Sequence, residues 1–234
     1  MDLGVNEAAS RLGVHPSRVR QLLHAGDLGG RQISGVWLIS ANDVARRASR
    51  RSQPGRPLAP ARAWGLLDLL DHGSAPWLSP VARSQVRQVL RGISGADADR
   101  WRAVLRARSE VHPSRAHPAA LRRLLDTPGV RASGSIDVAG HGIDLVVVNA
   151  LPEVYVTASE WPQLARSLHL VTVHTGVPDV VVRVPRIPLA FAHRLSLGAA
   201  AVAADLMDSD EPRAVVAGAA KLNELSRQLL PTGQ

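Results

Sequence analysis

Apolar positions switch period twice within residues 5–47. Val5, Ala8, Ala9 and Leu12 recur at i, i+3, i+4 and i+7, the stripe of a short amphipathic helix. The period breaks at Gly13 and Val14 and restarts at His15 and Pro16, which sets a capping side chain before a proline suited to the first helical position. In this second helix Val19, Leu22 and Leu23 form the buried stripe, so Ser17, Arg20, Gln21 and His24 face the other way. Gly26 is expected to end it. Arg31, Gln32 and Ile33, a turn at Ser34 and Gly35, and the run 36–39 predict a two-stranded hairpin. Ser40 with Asp43 three residues on predicts the cap of a third helix, which bears Arg46 and Arg47.

Past a polar, Pro/Gly-containing linker at 51–57, three helical stretches are expected at 60–70, 80–90 and 97–107. Ser79 and Pro80 cap the second, and Asp97 and Asp99 lie in the first turn of the third. The last half alternates strand and helix. Strands are predicted at 111–116, 130–135, 143–148, 153–156, 170–173 and 180–184, with a helix opening at His117 and Pro118 and another reaching Leu168. Two closing helices, 195–207 and 212–230, are joined by Asp208, Ser209, Asp210 and Glu211, read as a solvated turn with Asp205 close by. The predicted class is α+β: a winged helix-turn-helix at 1–50, the linker, a basic and mostly helical segment at 58–131, and an α+β C-terminal domain with a small sheet at 132–234.

A helix presenting Ser, Arg, Gln and His outward is suited to the major groove of double-stranded DNA, where such side chains reach base edges. The candidate DNA-contacting set is Ser17, Arg18, Arg20, Gln21 and His24 on the second helix, Arg31 and Gln32 on the hairpin, and Arg46 and Arg47 on the third helix. Charge agrees with this placement. The net charge is +8, and residues 1–50 carry seven arginines against four acids, residues 51–131 fourteen against six, and residues 132–234 seven basic residues against ten acids. The positive surplus therefore sits where a polyanion would be met, and the last third is mildly acidic. Arg83, Arg87 and Arg91, and again Arg102 and Arg106, lie four apart; such rows could extend a DNA footprint, meet an acidic partner or be a solvated face.

The absence of cysteine excludes thiolate zinc sites, iron–sulfur clusters and disulfides, and it fits a soluble, bacterial-type protein of a reducing cytoplasm. No signal-peptide pattern opens the sequence, and no run is apolar for long enough to span a bilayer. One Tyr and one Phe leave no platform for stacking single-stranded bases, so the tryptophans are expected to be core anchors. Neither a Walker loop, a dinucleotide fingerprint nor a Gly-x-Ser-x-Gly elbow is present, and the acids at 205–211 lack the spacing of a calcium loop. The expectation is a non-enzyme without cofactor or metal.

Residues 4–23, the hairpin with Trp37, Leu38 and Ile39, and the run Asn42, Asp43 and Val44 resemble the MerR/excisionase-type winged helix. The resemblance implies that Ser17, Arg18, Arg20 and Gln21 lie on the recognition helix and that the wing tip meets the DNA backbone. That family's wing often reads Arg-x-Gly-Arg-x-Trp, whereas this tip is Ile33, Ser34, Gly35 and Val36, which weakens the phosphate contact or moves it to Arg31. The whole chain is similar to the antitoxin-regulators of abortive-infection (AbiE-like, type IV) toxin–antitoxin pairs, through segments 56–67, 77–80, 115–125 and 205–213. Ala59 departs from that pattern, standing where a Ser cap would be expected. This second resemblance implies an autorepressor of its own promoter that opposes a nucleotidyltransferase toxin encoded beside it. Two further readings stay open: a MerR-like regulator whose C-terminal domain senses a small ligand, and an excisionase-like recombination factor.

Overall fold

The computed structural model describes residues 2–24, 28–33, 35–51, 56–146, 150–174, 176–187 and 197–230, with only the backbone of Arg46 and of residues 49–51. The chain divides into two compact units, residues 1–53 with 172–178, and residues 54–171 with 179–234.

In the first unit β1 (Asp2–Leu3) precedes α1 (Val5–Leu12) and α2 (Pro16–His24); β2 (Gly30–Ile33) and β3 (Val36–Ser40) then lead into α3 (Ala41–Arg51). The first helix stops where expected, because Gly13 turns left-handed at φ +60° and its N–H returns to the last carbonyls. His15 Nδ1 accepts from the Ser17 N–H at 3.3 Å, so the histidine caps α2. Ser40 Oγ likewise accepts from the Asp43 N–H at 3.4 Å. The hairpin pairs Arg31 with Leu38, Gln32 with Trp37 and Ile33 with Val36. Strand β1, too short to show a period, adds a third strand beside β3 and sends Leu3 into the core. That core joins Ala8, Ala9, Leu12, Val19, Leu22 and Leu23 of the stripes read from the sequence with Leu3, Leu28, Ile39 and Val44, and Val5 packs against it partly buried. Gly26 and Ser34 lie outside the described residues.

The second unit opens with α4 (Pro60–Leu70), α5 (Pro80–Ile93) and α6 (Ala98–Leu105). Residues 63–70 of α4 are all buried, as befits a helix apolar on every side and lying at the centre of its unit. Then come β4 (Ser109–Arg115), α7 (Pro118–Leu125), β5 (Arg131–Ser133), β6 (Glu153–Tyr155), α8 (Trp161–Ser167), β7 (Val171–Thr172), β8 (Val180–Pro185), α9 (Ala199–Leu206) and α10 (Pro212–Leu229). The strands form one mixed sheet in the order β5-β6-β8-β4-β7, with β6 and β8 parallel and β4 antiparallel to β8. The pleat sends alternate side chains to opposite faces. Val154, Val180 and Val182 pack on Leu124 of α7 and on Leu168 and Leu170, while Tyr155 joins the core of α4, α5, α6, α9 and α10. The fold is α+β.

The boundary expected at 131/132 does not divide two cores. α4, α5 and α6 share one core with α9 and α10, and β4 finds its partner β8 on the far side of that boundary. Residues 143–146 are not a strand, and 147–148 lie outside the described residues. The helix expected from 195 starts at Ala199, with 195 and 196 likewise outside. Trp64 and Trp101 are buried, as expected of core anchors, whereas Trp77 and Trp161 are half-buried.

Candidate nucleic-acid interface

Helix α2 places Val19, Leu22 and Leu23 in the core and leaves Ser17, Arg18, Arg20, Gln21 and His24 exposed. These five are brought together on one outward surface, which the anchoring of α2 holds in orientation. Their hydrogen bonding differs in ways the sequence does not show. Ser17 Oγ lies 2.9 Å from His15 Nδ1, as part of the capping arrangement. Arg18 donates from Nη1 to Gln21 Oε1 at 3.1 Å, which aligns two long side chains one turn apart. The Arg20 guanidinium has no hydrogen bond or ion pair among the described residues, so its planar fork of donors faces solvent. That fork suits the O6 and N7 acceptors of guanine. His24 is the least available of the five. Its Nδ1 is 2.6 Å from the Arg20 carbonyl, which makes Nδ1 the donor, and its ring meets Trp37 edge-on at 5.7 Å between centroids.

The wing presents a different chemistry. Arg31, the residue expected to meet phosphate there, donates to Asp2 Oδ2 at 3.2 Å. Both partners are well exposed, 70% and 41%, so the pair is weak and can exchange for a phosphate at little cost. Gln32 closes the hairpin by donating from Nε2 to the Gly35 carbonyl at 3.3 Å. The tip itself is apolar, with Ile33 49% and Val36 60% exposed. Arg47 is half-buried on α3, which packs on α1 and β3. The side chain of Arg46 lies outside the described residues. The structure therefore joins the α2 residues in one surface and sets Arg31 and Gln32 on the neighbouring hairpin, with Arg47 on α3.

The second unit holds a group of charged side chains that the sequence reading missed. Asp205, expected near a solvated turn, is fully buried, and Arg108, Arg183 and Glu153 are nearly so. Arg108 Nη2 donates to Asp205 Oδ1 and to Asp208 Oδ2, both at 2.6 Å, and to the Ala204 carbonyl at 3.1 Å. Arg183 donates from Nε and Nη2 to Glu153 Oε2, at 2.9 and 2.7 Å, and from Nη1 to Asp208 Oδ2 at 3.0 Å. Tyr155 Oη donates to Asp205 Oδ1 at 2.9 Å, and Ser133 Oγ donates to Asp205 Oδ2. Asp205 is thus a buried cross-link, since an acid inside an apolar helix must find a cation once the helix is buried. Asp208 lies in the exposed turn beyond α9, as expected of 208–211, and lends one carboxylate oxygen to both arginines.

Burial pushes the Glu153 carboxyl up to about 7 despite the opposing pull of Arg183. Burial works against charge on Asp208 as well, yet Arg108 and Arg183 outweigh it and hold its carboxyl below the ordinary range. The same carboxylates overcome the burial of both guanidiniums and raise them. These groups are spent on one another, and the arrangement ties β6, β8, the residue before β4 and the end of α9 into one piece.

A cavity of ≈ 10 Å³ lies by Trp64, Asp68, Asp71, Trp77 and Gly198. It has room for about one water and not for a small-molecule effector.

Comparison with known proteins matches residues 3–52 to the family model of the helix-turn-helix domain. The match runs from β1 through α3 and takes in every exposed residue of α2 described above. Residues 3–52 form a helix-turn-helix DNA-binding module. No curated protein and no solved structure matches the chain. Among the described residues no helix is long and apolar enough to cross a membrane, and no group of three or more His, Asp or Glu is placed to hold a metal ion.

Proposed function

We propose that this protein is a sequence-specific transcriptional regulator that reads double-stranded DNA at its own promoter through α2. The observation that carries the reading is the division of α2: Val19, Leu22 and Leu23 fix the helix, and Ser17, Arg18, Arg20 and Gln21 stand together on its open side. An arginine fork and a glutamine amide on one helix face are the side chains that discriminate guanine and adenine in the major groove.

The second unit is read as a docking and regulatory part, and not as an enzyme. Its most concentrated titratable groups are paired with one another in the interior, and His141 is engaged with Asp137 at 3.0 Å. The similarity of segments 56–67, 77–80, 115–125 and 205–213 to AbiE-like antitoxin-regulators supports a more specific role, autorepression combined with neutralisation of a nucleotidyltransferase toxin.

One experiment in cells tests both parts. A reporter driven by the promoter is expected to be silenced by the wild-type chain and released by Arg20→Ala. In cells expressing a nucleotidyltransferase encoded beside the gene, both the wild-type chain and Arg20→Ala are expected to restore growth, because neutralisation need not pass through DNA. Rescue that tracks repression would reduce the antitoxin role to repression. A reporter indifferent to the wild-type chain would remove the regulator reading.

A further inference from the structure

Helix α5 carries three arginines and no acid over fourteen residues. Its core stripe is Val86, Leu90 and Ile93. At about 100° per residue, Arg83, Arg87 and Arg91 fall within about 80° of one another on the flank beside that stripe, and they climb the helix in steps of about 6 Å. Arg83 is half-buried and donates from Nη1 to the Ser74 carbonyl at 3.0 Å, which fixes the lower end of the row. Arg87 and Arg91 are exposed and make no hydrogen bond or ion pair among the described residues. Ser84 and Gln88, also exposed, lie beside them and add neutral donors.

Several other arginines of this unit are committed elsewhere. Arg102 is bonded to Asp99 at 2.9 Å, and Arg108 and Arg183 are locked in the interior. The row on α5 is therefore a cationic strip without its counter-charge, in the part of the chain with the largest basic surplus.

We propose that this strip is a second DNA-contacting surface, one that grips the phosphate backbone outside the bases read by α2. The proposal rests on the regulator reading above and extends it, because a polyanion is already the partner implied by the N-terminal module. Guanidiniums spaced along a helix meet successive phosphates without regard to base identity, so the strip supplies affinity and leaves sequence choice to α2. Each phosphate contact releases condensed counterions, which gives the strip a signature that base readout lacks: a slope of about 0.9 in log affinity against log salt for each contact.

The test uses the full chain, a duplex carrying its own promoter and a scrambled duplex of equal length, titrated over a range of salt concentrations. Arg87→Gln with Arg91→Gln is expected to weaken both duplexes by a similar factor and to lower the salt slope by about 2, leaving the preference for the promoter unchanged. A control variant, Arg166→Gln with Arg213→Gln, removes the same two charges from exposed positions on α8 and α10 and is expected to leave the slope near wild type. Equal slopes for wild type and the α5 variant would overturn the proposal and leave the row to an acidic protein or to solvent. An equal drop for the control would overturn it too, since net charge alone would then explain the effect. Failure of the wild-type chain to prefer promoter over scrambled duplex would instead strike the regulator reading.

Discussion

Glu153 has the most consequential environment of any single residue. It sits on β6 against Arg183, which also reaches Asp205 of α9 and Asp208 just beyond it, and burial raises its carboxyl to about 7. The fold holds this proton more tightly than the unfolded chain does, whose carboxyl titrates near 4.5. Its contribution to stability is therefore fully present below about pH 4.5 and is lost as pH rises through about 7. Wild-type stability is expected to fall as pH rises across that window. Glu153→Gln keeps an acceptor for Arg183 and removes the titration, so its denaturation midpoints at pH 5 and pH 8, two points on either side of about 6, are expected to differ less. A variant that follows the wild-type profile would place the titration elsewhere. Two residues advertised this network in the sequence. Arg183 interrupts the run Val180, Val181, Val182 and Val184, and Asp205 interrupts an alanine-rich helix. Charge in a segment otherwise apolar enough to be buried demands a partner. The partners, Arg108 and Glu153, lie far away along the chain, so periodicity could not supply them.

Elements were legible in proportion to their length and period. α1, α2 and the hairpin showed themselves through stripes and turn residues, and His15, Ser79 and His117 all cap where expected. β1 has only two residues, and the sheet order depends on pairings between distant segments, so neither left a local trace. α9 illustrates what local reading lacks. It is an eight-residue, almost wholly apolar helix whose N-terminal N–H of Ala200 is satisfied by Asp71 Oδ1 of the α4 terminus, at 3.0 Å. Arg102 and Arg108 bond carbonyls at its other end, Met207 and Ala204. Acid at the start and cations at the finish both complement the helix dipole. Gly198 leaves the space for this cap, since a Cβ there would lie 1.8 Å from Asp71 Oδ2. Gly198→Ala is expected to displace the carboxylate and cost about 1–2 kcal/mol in a denaturation experiment, as loss of a cap does. An unchanged midpoint would show that the end of α9 is satisfied in another way.

For the whole molecule, the two units answer different demands. The first has its own ten-residue apolar core and exposes one helix face. The second spends its largest charges internally and presents a basic strip outside. The exposure of Ser17, Arg18, Arg20, Gln21 and His24 was readable in advance because a helix anchored by Val19, Leu22 and Leu23 leaves no choice about its other face. The unequal roles of those residues were not, because the His24–Trp37 contact and the Arg31–Asp2 pair join segments whose proximity only the fold creates. Under the proposed function, sequence choice passes through Arg20. The most direct measurement is the ratio of affinities for promoter and scrambled duplexes, at one fixed salt concentration, for wild type and Arg20→Ala. Arg20→Ala is expected to lose about 1–3 kcal/mol on the promoter and far less on the scrambled duplex, with an unchanged melting temperature. An unchanged ratio would contradict it.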